Sequence, residues 1–181
     1  FLQFSAGNRV VDNTITGSGG AGVEILGAEN GDIPGEIPHH TGADENVVER
    51  NVIKNGGGGV VISDSNRNQI VGNDIQNNTG GAITIDMSRD NVVRGNELSS
   101  NVGGIELAAA QSNLVEGNNA SGGLGTGIGI GELGTNNIVR DNTASGNGGD
   151  GIAIGDSSPI GQGNLLELNT ADAFDPLIAT D

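Results

Sequence analysis

The sequence predicts an all-β fold, a single-stranded parallel β-helix in which each turn of chain stacks on the turn before it. Three observations support this prediction. A block of the form Asn-x-aliphatic-x-x-Asn occurs seven times between residues 8 and 169. Four of the six intervals between block starts are 22–24 residues long, and the blocks before the last one lead through glycines into an apolar-x-apolar segment. Repetition at a period of 20–50 residues is typical of solenoids.

The composition also favours a solenoid over a globular core. Of 181 residues, only 34% are hydrophobic and 2% aromatic, while 34 are glycine. A globule with so few large apolar side chains would hardly offset its loss of chain entropy. In a solenoid each turn buries a thin row of aliphatic side chains against its neighbours. We therefore expect one β-helix domain over residues 1–181, with about seven turns of 22–24 residues.

Aliphatic side chains define the inner side of each turn. Branched aliphatic residues occupy the third position of every block: Val10, Val48, Ile70, Val93, Val115, Val139 and Leu166. Side chains in a strand alternate between its two faces, so the asparagine at position 6 should point the same way as the aliphatic residue at position 8. This predicts one stack of seven asparagines: Asn13, Asn51, Asn73, Asn96, Asn118, Asn142 and Asn169.

The second half of each turn reads as a strand with two inward apolar residues, as in Gly59-Val60-Val61-Ile62. We expect the preceding glycines to supply a positive φ at a tight corner. Position 4 of the blocks should face outward. It alternates in charge through Arg94, Glu116, Arg140 and Glu167, as directly stacked side chains prefer.

These blocks resemble the repeats of the pectate-lyase-like superfamily of right-handed parallel β-helices. The resemblance covers about residues 8–171, and the right-handedness is taken from it. The superfamily includes polysaccharide lyases, glycoside hydrolases, mannuronan epimerases and surface adhesins, so it implies the fold much more strongly than any one activity.

The formal net charge of -16 argues against binding to nucleic acid phosphates and disfavours binding to anionic membrane surfaces. No apolar run reaches the length needed for membrane insertion. The chain has no cysteine, and six of its seven basic residues are arginine. An acidic, lysine-poor surface is typical of proteins from high-salt environments. We expect an extracellular or cell-surface protein.

The largest interruption of the repeat is a loop over residues 27–45, which is the obvious place for a binding or catalytic site. Enzymes that act on uronic acids need a positive group to neutralise the sugar carboxylate, and a base and an acid for proton transfer. The candidate catalytic residues are the charged and titratable side chains near this loop: His39, His40, Arg50, Lys54 and Asp74. A histidine would act as the base, and Arg50 or Lys54 as the neutralising group.

Other features argue against catalysis within this chain. The Asp-Pro-His-Asp signature of the epimerases is absent, and tyrosine, a frequent proton donor in such enzymes, does not occur. No cofactor is required by any motif. Calcium is the ion that turn carboxylates such as Asp64, Glu132 and Asp156 would accept.

Three hypotheses follow. The first is an extracellular scaffold or binding module for polysaccharide or a cell-envelope partner. The second is the C-terminal part of a polysaccharide lyase or uronate epimerase with its site near residues 27–45. The third is a filament subunit that self-associates end to end through its open edges. We expect residues 172–181 to form a C-terminal cap or tail, and the chain to be one segment of a longer protein.

Overall fold

The computed structural model describes residues 1–27, 42–155 and 163–172, together with the backbone of 174–175. The described residues form strands, turns and bends, with no helix. The strands associate into three parallel sheets that run along the solenoid, which we call sheets A, B and C. Each complete turn contributes one strand or bridge to each sheet. This confirms the predicted all-β solenoid.

Within the described residues, sheet A has eight strands: β1 (Leu2–Gln3), β4 (Ala21–Leu26), β7 (Gly58–Ser63), β10 (Gly81–Asp86), β13 (Gly103–Ala108), β15 (Ile128–Ile130), β18 (Ile152–Ile154) and β21 (Phe174–Asp175). Sheet B has seven, one from each block: β2 (Arg9–Val11), β5 (Val47–Glu49), β8 (Gln69–Val71), β11 (Val92–Arg94), β14 (Leu114–Glu116), β16 (Ile138–Arg140) and β19 (Leu165–Glu167).

Sheet C follows sheet B in each turn and has six strands in the described part of the chain: β3 (Thr14–Thr16), β6 (Val52–Lys54), β9 (Asp74–Gln76), β12 (Glu97–Ser99), β17 (Thr143–Ala144) and β20 (Thr170–Ala171). Isolated bridges from Asn119 to Glu97 and to Thr143 connect the first four strands to the last two.

The core is a set of aliphatic columns along the solenoid axis. Val48, Ile70 and Val93 pair in direct register and are completely buried. Their superposition confirms the predicted stacking of position 3. The inward pairs of sheet A stack in the same way, as Ile83 on Val60 and on Ile105. Because each turn repeats the same contacts, burial is continuous along the rod.

A left-handed residue separates sheet B from sheet C in every turn. Position 5 of each block has a φ between 52° and 63° in Asp12, Arg50, Gly72, Gly95, Gly117, Asp141 and Leu168. This conformation bends the chain sharply and costs non-glycine residues about 1 kcal/mol or more. The asparagine that follows it turns inward.

Those inward asparagines form the predicted stack at position 6. Each amide Nδ2 donates to the Oδ1 of the next asparagine at 2.9–3.0 Å, from Asn13 through to Asn169. A second stack, which we did not predict, runs through position 1 from Asn8 to Asn164, with distances of 2.9–3.2 Å. The two stacks satisfy backbone groups at the two corners that bound sheet B.

The explanation predicted for the glycines before the sheet A strands is confirmed for only some of them. Gly17, Gly122 and Gly146 have a positive φ of 66–69° at the corner between sheets C and A, as predicted. Gly22, Gly59, Gly104 and Gly127 do not have a positive φ. They are required because a side chain would have no room: a Cβ on Gly104 would overlap the carbonyl of Gly127, and one on Gly59 would overlap the carbonyl of Ala82. Close approach between successive turns, and not a turn conformation, fixes these positions.

The last residues of the predicted loop, 42–45, are part of the β-helix itself. In the described residues 42–45, Ala43 and Asp44 are buried, and the amide of Glu45 donates to the carbonyl of Asn66. At the other end, the backbone of β21 pairs with β18 and so extends sheet A. Residues 28–41, 173 and 176–181, which make up the remainder of the predicted loop and tail, lie outside the described residues.

Candidate functional site

Arg50, a predicted neutralising group, lies at the left-handed corner between β5 and β6 and is held by two carboxylates. Its Nε and Nη2 donate to the two oxygens of Asp12 at 2.8 and 3.0 Å, and its Nη1 pairs with Glu49. Glu49 also pairs with Arg9 at 2.8 Å. The four side chains form a neutral network on the first two turns.

The network changes the protonation equilibria of its members. The hydrogen bond from Arg50 lowers the pKa of the Asp12 carboxyl below its usual value. The same bond raises the pKa of the Arg50 guanidinium. Asp12 therefore stays ionised, and Arg50 is committed to this pair. To bind a sugar carboxylate, Arg50 would first have to leave Asp12.

Lys54 and Asp74 lie on the outer face of sheet C, on neighbouring strands. Register pairs Lys54 with Gln76 and Asp74 with Val52, so the two charges occupy different columns of this face. Asp74 accepts a hydrogen bond from the Gln76 amide. Within the described residues, Lys54 forms no ion pair. Arg50, Lys54 and Asp74 therefore lie along two successive turns without pairing with one another.

His39 and His40 lie outside the described residues, so their predicted role as base stays a prediction. The described part of the chain holds no group of three or more carboxylates or histidines arranged to bind a metal. Asp64, one of the turn acids considered for calcium, accepts a hydrogen bond from its neighbour Ser63 at 3.3 Å.

Sheet A presents a different kind of surface. Its central outward column is mostly small or uncharged and runs Glu24, Val61, Thr84, Glu106, Gly129, Ala153. None of the described residues of sheet A is basic. The strands β4, β7, β10 and β13 have six residues each, twice the length of those in sheets B and C, so this is the widest face of the solenoid.

Glu106 is the titratable group on this face with the most altered environment. Its carboxylate leans over Gly129 on the next turn, where the glycine leaves room for it. A Cβ added to Gly129 would overlap its Oε2, and a Cβ added to Gly131 would lie 3.1 Å from its Oε1. Loss of water there raises the pKa of the Glu106 carboxyl, although the residue as a whole is exposed. The sequence signal for this arrangement is a glycine in an outward column, which we did not recognise as a potential site.

The family model described as "Right handed beta helix region" matches residues 1–171. The chain belongs to this family. The match spans every described turn of the solenoid and agrees with the stacked parallel sheets. No curated protein sequence matches the chain.

Solved structures show the same fold in two epimerases. The β-helix matches the crystal structure of the periplasmic alginate epimerase AlgG with a TM-score of 0.75 and 20% identity, over 92% of this chain and 40% of that one. It also matches the A-module of the Azotobacter vinelandii mannuronan C-5 epimerase AlgE6, with a TM-score of 0.56 and 16% identity. That second match covers 70% of this chain and 46% of the module. The chain thus spans less than half the length of either protein.

The described residues include no helix long and apolar enough to cross a lipid bilayer. The candidate surfaces of this β-helix are the three outer faces of its sheets. Sheet A is wide, flat and free of basic groups. Sheet C carries scattered polar and charged side chains. Sheet B and the corners beside it carry most of the positive charge, and sheet B also carries a row of partly exposed aliphatic residues.

Proposed function

We propose that this β-helix is an extracellular or cell-envelope binding module for a neutral polysaccharide, and that the chain binds it on the outer face of sheet A. The observation that carries the proposal is the outward column of sheet A, in which Val61 and Thr84 lie between Glu24 and Glu106, and the small residues Gly129 and Ala153 follow. The two epimerases that share the fold act on polysaccharides, as their names state, which supports the same class of partner.

The shape of sheet A suits an extended polymer. A six-residue strand spans about 20 Å, and successive strands lie about 4.8 Å apart. Sugar rings laid along this face would meet glycine, alanine and threonine in place of bulky side chains. The carboxylates of Glu24 and Glu106 have no hydrogen-bond donor among the described side chains, and each would accept hydrogen bonds from sugar hydroxyls.

Charge favours a neutral polymer over a uronate. The chain carries a net charge of -16, and no basic residue lies on the described part of sheet A. A polymer with one carboxylate per sugar would be repelled from this face. Arg50 is paired with Asp12, and Lys54 lies on sheet C, so neither supplies a positive group there.

The experiment compares binding to neutral and acidic polysaccharides by affinity electrophoresis. We expect neutral glucans or mannans to retard the protein, and alginate and pectate to have no effect. Thr84→Arg places a long charged side chain in the middle of the sheet A column and should weaken retardation about tenfold or more. Ser99→Arg, the same addition of charge on the outer face of sheet C, is the matched control and should bind like the unchanged protein.

Two outcomes would overturn the proposal. One is equal binding by Thr84→Arg and Ser99→Arg, which would remove sheet A as the binding face. The other is the absence of retardation by every neutral polysaccharide tested.

A second candidate, part of a uronate lyase or epimerase, is favoured by the fold shared with AlgG and AlgE6. It assigns the neutralising role to Lys54, the basic residue of the predicted site that forms no ion pair with a described residue. Turnover of alginate or pectate that is abolished by Lys54→Ala would establish this candidate and displace the binding module. Calcium binding and end-to-end filament formation stay predictions.

A further inference from the structure

The arginines of this acidic chain are concentrated on one side of the solenoid. All six lie in sheet B or in its bounding corners, which we define as the three residues before and the one residue after each strand: Arg9, Arg50, Arg67, Arg89, Arg94 and Arg140. The acidic residues of the same region number eight: Asp12, Asp44, Glu45, Glu49, Asp90, Glu116, Asp141 and Glu167. Six positive and eight negative charges leave this side with a net charge of -2.

The rest of the described chain is strongly acidic. Among the residues whose side chains are described, Lys54 is its one basic residue, against nine acidic residues: Glu24, Asp64, Asp74, Asp86, Glu97, Glu106, Glu132, Asp150 and Asp172. The difference, one minus nine, is a net charge of -8. Two copies of this protein would repel each other strongly through sheets A and C but little through sheet B.

Two columns side by side cover the outer face of sheet B. One column is apolar over four successive strands, where Val92, Leu114, Ile138 and Leu165 stack in register. Ile138 is 36% exposed and Leu165 48% exposed. Val92 and Leu114 are half-buried, so the exposure of the row increases towards β19. A contiguous row of partly exposed aliphatic side chains is a surface suited to an interaction site.

The second column alternates in charge over the same four strands: Arg94, Glu116, Arg140, Glu167. Glu116 pairs with the arginines on both sides, with N–O distances of 2.7 Å to Arg94 and 2.7 Å to Arg140. The charges run positive, negative, positive, negative along the column. If a second copy of the column is laid against it in the reverse direction, every positive side chain faces a negative one.

We propose that the outer face of sheet B is a self-association surface, on which a second copy of this chain docks with its solenoid axis antiparallel. The two-fold axis runs parallel to the strands, between β14 and β16. This operation places Arg94 opposite Glu167 and Glu116 opposite Arg140 of the second copy. It also places each apolar column on the other, since rotation about the strand direction leaves the column order unchanged.

Other symmetric arrangements fit less well. A two-fold axis along the solenoid would place the charged column of each copy on the apolar column of the other. A shift of the axis by one strand, to lie between β11 and β14, would place Glu49 opposite Glu167. Like charges in contact oppose association, so the register is specified by the charge order.

The size of the overlap predicts a weak dimer. Four strands at about 4.8 Å spacing and five residues at about 3.3 Å give a flat area of about 320 Å² on each copy. The sum of about 640 Å² for the two copies is below the roughly 1,200–2,000 Å² of stable complexes. We therefore expect a reversible dimer that forms at roughly 100 µM and above.

The experiment measures the mass in solution by sedimentation equilibrium over a concentration series. The unchanged protein should move from one chain mass towards twice that mass. Arg94→Glu with Arg140→Glu makes the column entirely acidic, and Glu116→Arg with Glu167→Arg makes it entirely basic. Each double variant alone should stay monomeric, and an equimolar mixture of the two should recover the dimer.

Glu97→Arg with Asp172→Arg is the matched control, since it raises the net charge by the same amount as Glu116→Arg with Glu167→Arg, but at β12 and next to β20 of sheet C, and should leave the dimer intact. Stacked like charges destabilise a sheet, so thermal melting of each variant checks that it is folded. Leu165→Ser provides a further test that alters no charge, and should weaken the dimer at least fivefold.

A protein that stays monomeric to the highest concentration would overturn the proposal, as would dimerisation of both double variants alone. A mixture that fails to recover the dimer, while both variants are folded, would also overturn it. The Thr84→Arg variant on sheet A should dimerise normally, so the tests of polysaccharide binding and of self-association are independent.

Discussion

Replacing Asn96 by alanine would measure how much the asparagine stack at position 6 contributes to stability. Asn96 is completely buried, and its side chain takes part in five hydrogen bonds. Its Oδ1 accepts from the backbone N–H and the side-chain amide of Asn73, at 2.9 and 3.0 Å. Its Nδ2 donates to Asn118 and to the carbonyls of Ile70 and Arg94.

The expected cost follows from the groups that lose their partners. The N–H of Asn73 would be left in the core without its acceptor, which costs about 1–3 kcal/mol. The Asn73 amide and the Ile70 carbonyl would each lose one partner as well. We expect a total loss of about 3–4 kcal/mol in the free energy of unfolding, a large share of the roughly 5–15 kcal/mol of a typical domain.

Urea and thermal denaturation, followed by far-UV circular dichroism, would measure the loss, which should lower the melting temperature by about 6–16 °C. Asn119→Ala is the matched control, the same change at the residue that directly follows Asn118, the next asparagine of the stack. Asn119 donates one exposed hydrogen bond to Glu97 at 2.9 Å, and its Oδ1 has no partner, so the cost should be under about 1 kcal/mol. Equal losses for the two variants would refute the reasoning that the stacked amides stabilise the fold.

Two further predictions concern the backbone and the charges. Gly104→Ala should destabilise the protein by about 2 kcal/mol or more, because the new Cβ would overlap the backbone of the next turn. The control, Gly103→Ala, should be nearly neutral, because its new Cβ would lie 3.7 Å from its nearest neighbour, the Cα of Gly81. Equal melting temperatures of the two variants would contradict this. The hydrogen bond from Arg140 lowers the pKa of Glu116 below its ordinary value near 4.5. The ionised Glu116 carboxylate therefore stabilises the fold fully above its ordinary pKa, and this stabilisation is lost as the pH falls through the lower pKa of the folded state. Glu116→Gln should be less stable than the unchanged protein at pH near 7 but not in strong acid. A stability difference that does not change with pH would contradict this.

The fold could be predicted from the sequence because it repeats the same side-chain alternation in every turn. Val48, Ile70 and Val93 share one position of the repeat, and only superposition buries all three. The charge order at position 4 added independent support, since Arg94 and Glu116 favour each other only when they are direct neighbours. Both signals depend on local spacing, which a sequence displays.

Features that depend on the distance between turns were harder to predict. Gly104 looks in the sequence like a turn glycine, but what it avoids is the backbone of a residue 23 positions later. The stack at position 1 was missed although all seven blocks begin with asparagine, and the alternation that joins position 6 to position 8 also joins position 1 to position 3.

The candidate site was predicted less well because a charged side chain can be used in more than one way. Arg50 was selected for its charge, and its sequence position gave no sign that Asp12, 38 residues earlier, would hold it. Both residues occupy position 5 of successive blocks, so the pairing could have been inferred from the repeat. The packing of Glu106 over Gly129 depended on one missing side chain in an outward column.

The hydrogen bonds between the asparagines of both stacks run in a single sense, since each Nδ2 donates one bond to the Oδ1 of the following turn and each Oδ1 accepts from the turn before. The rod therefore has a head and a tail even where its sequence is nearly uniform. A turn duplicated or deleted as a whole, with both asparagines, would preserve this order. An inserted turn that lacks either asparagine would leave the Nδ2 of the turn before it without its asparagine acceptor and the Oδ1 of the turn after it without its asparagine donor. The length of such a molecule can therefore change only in complete, correctly oriented repeats.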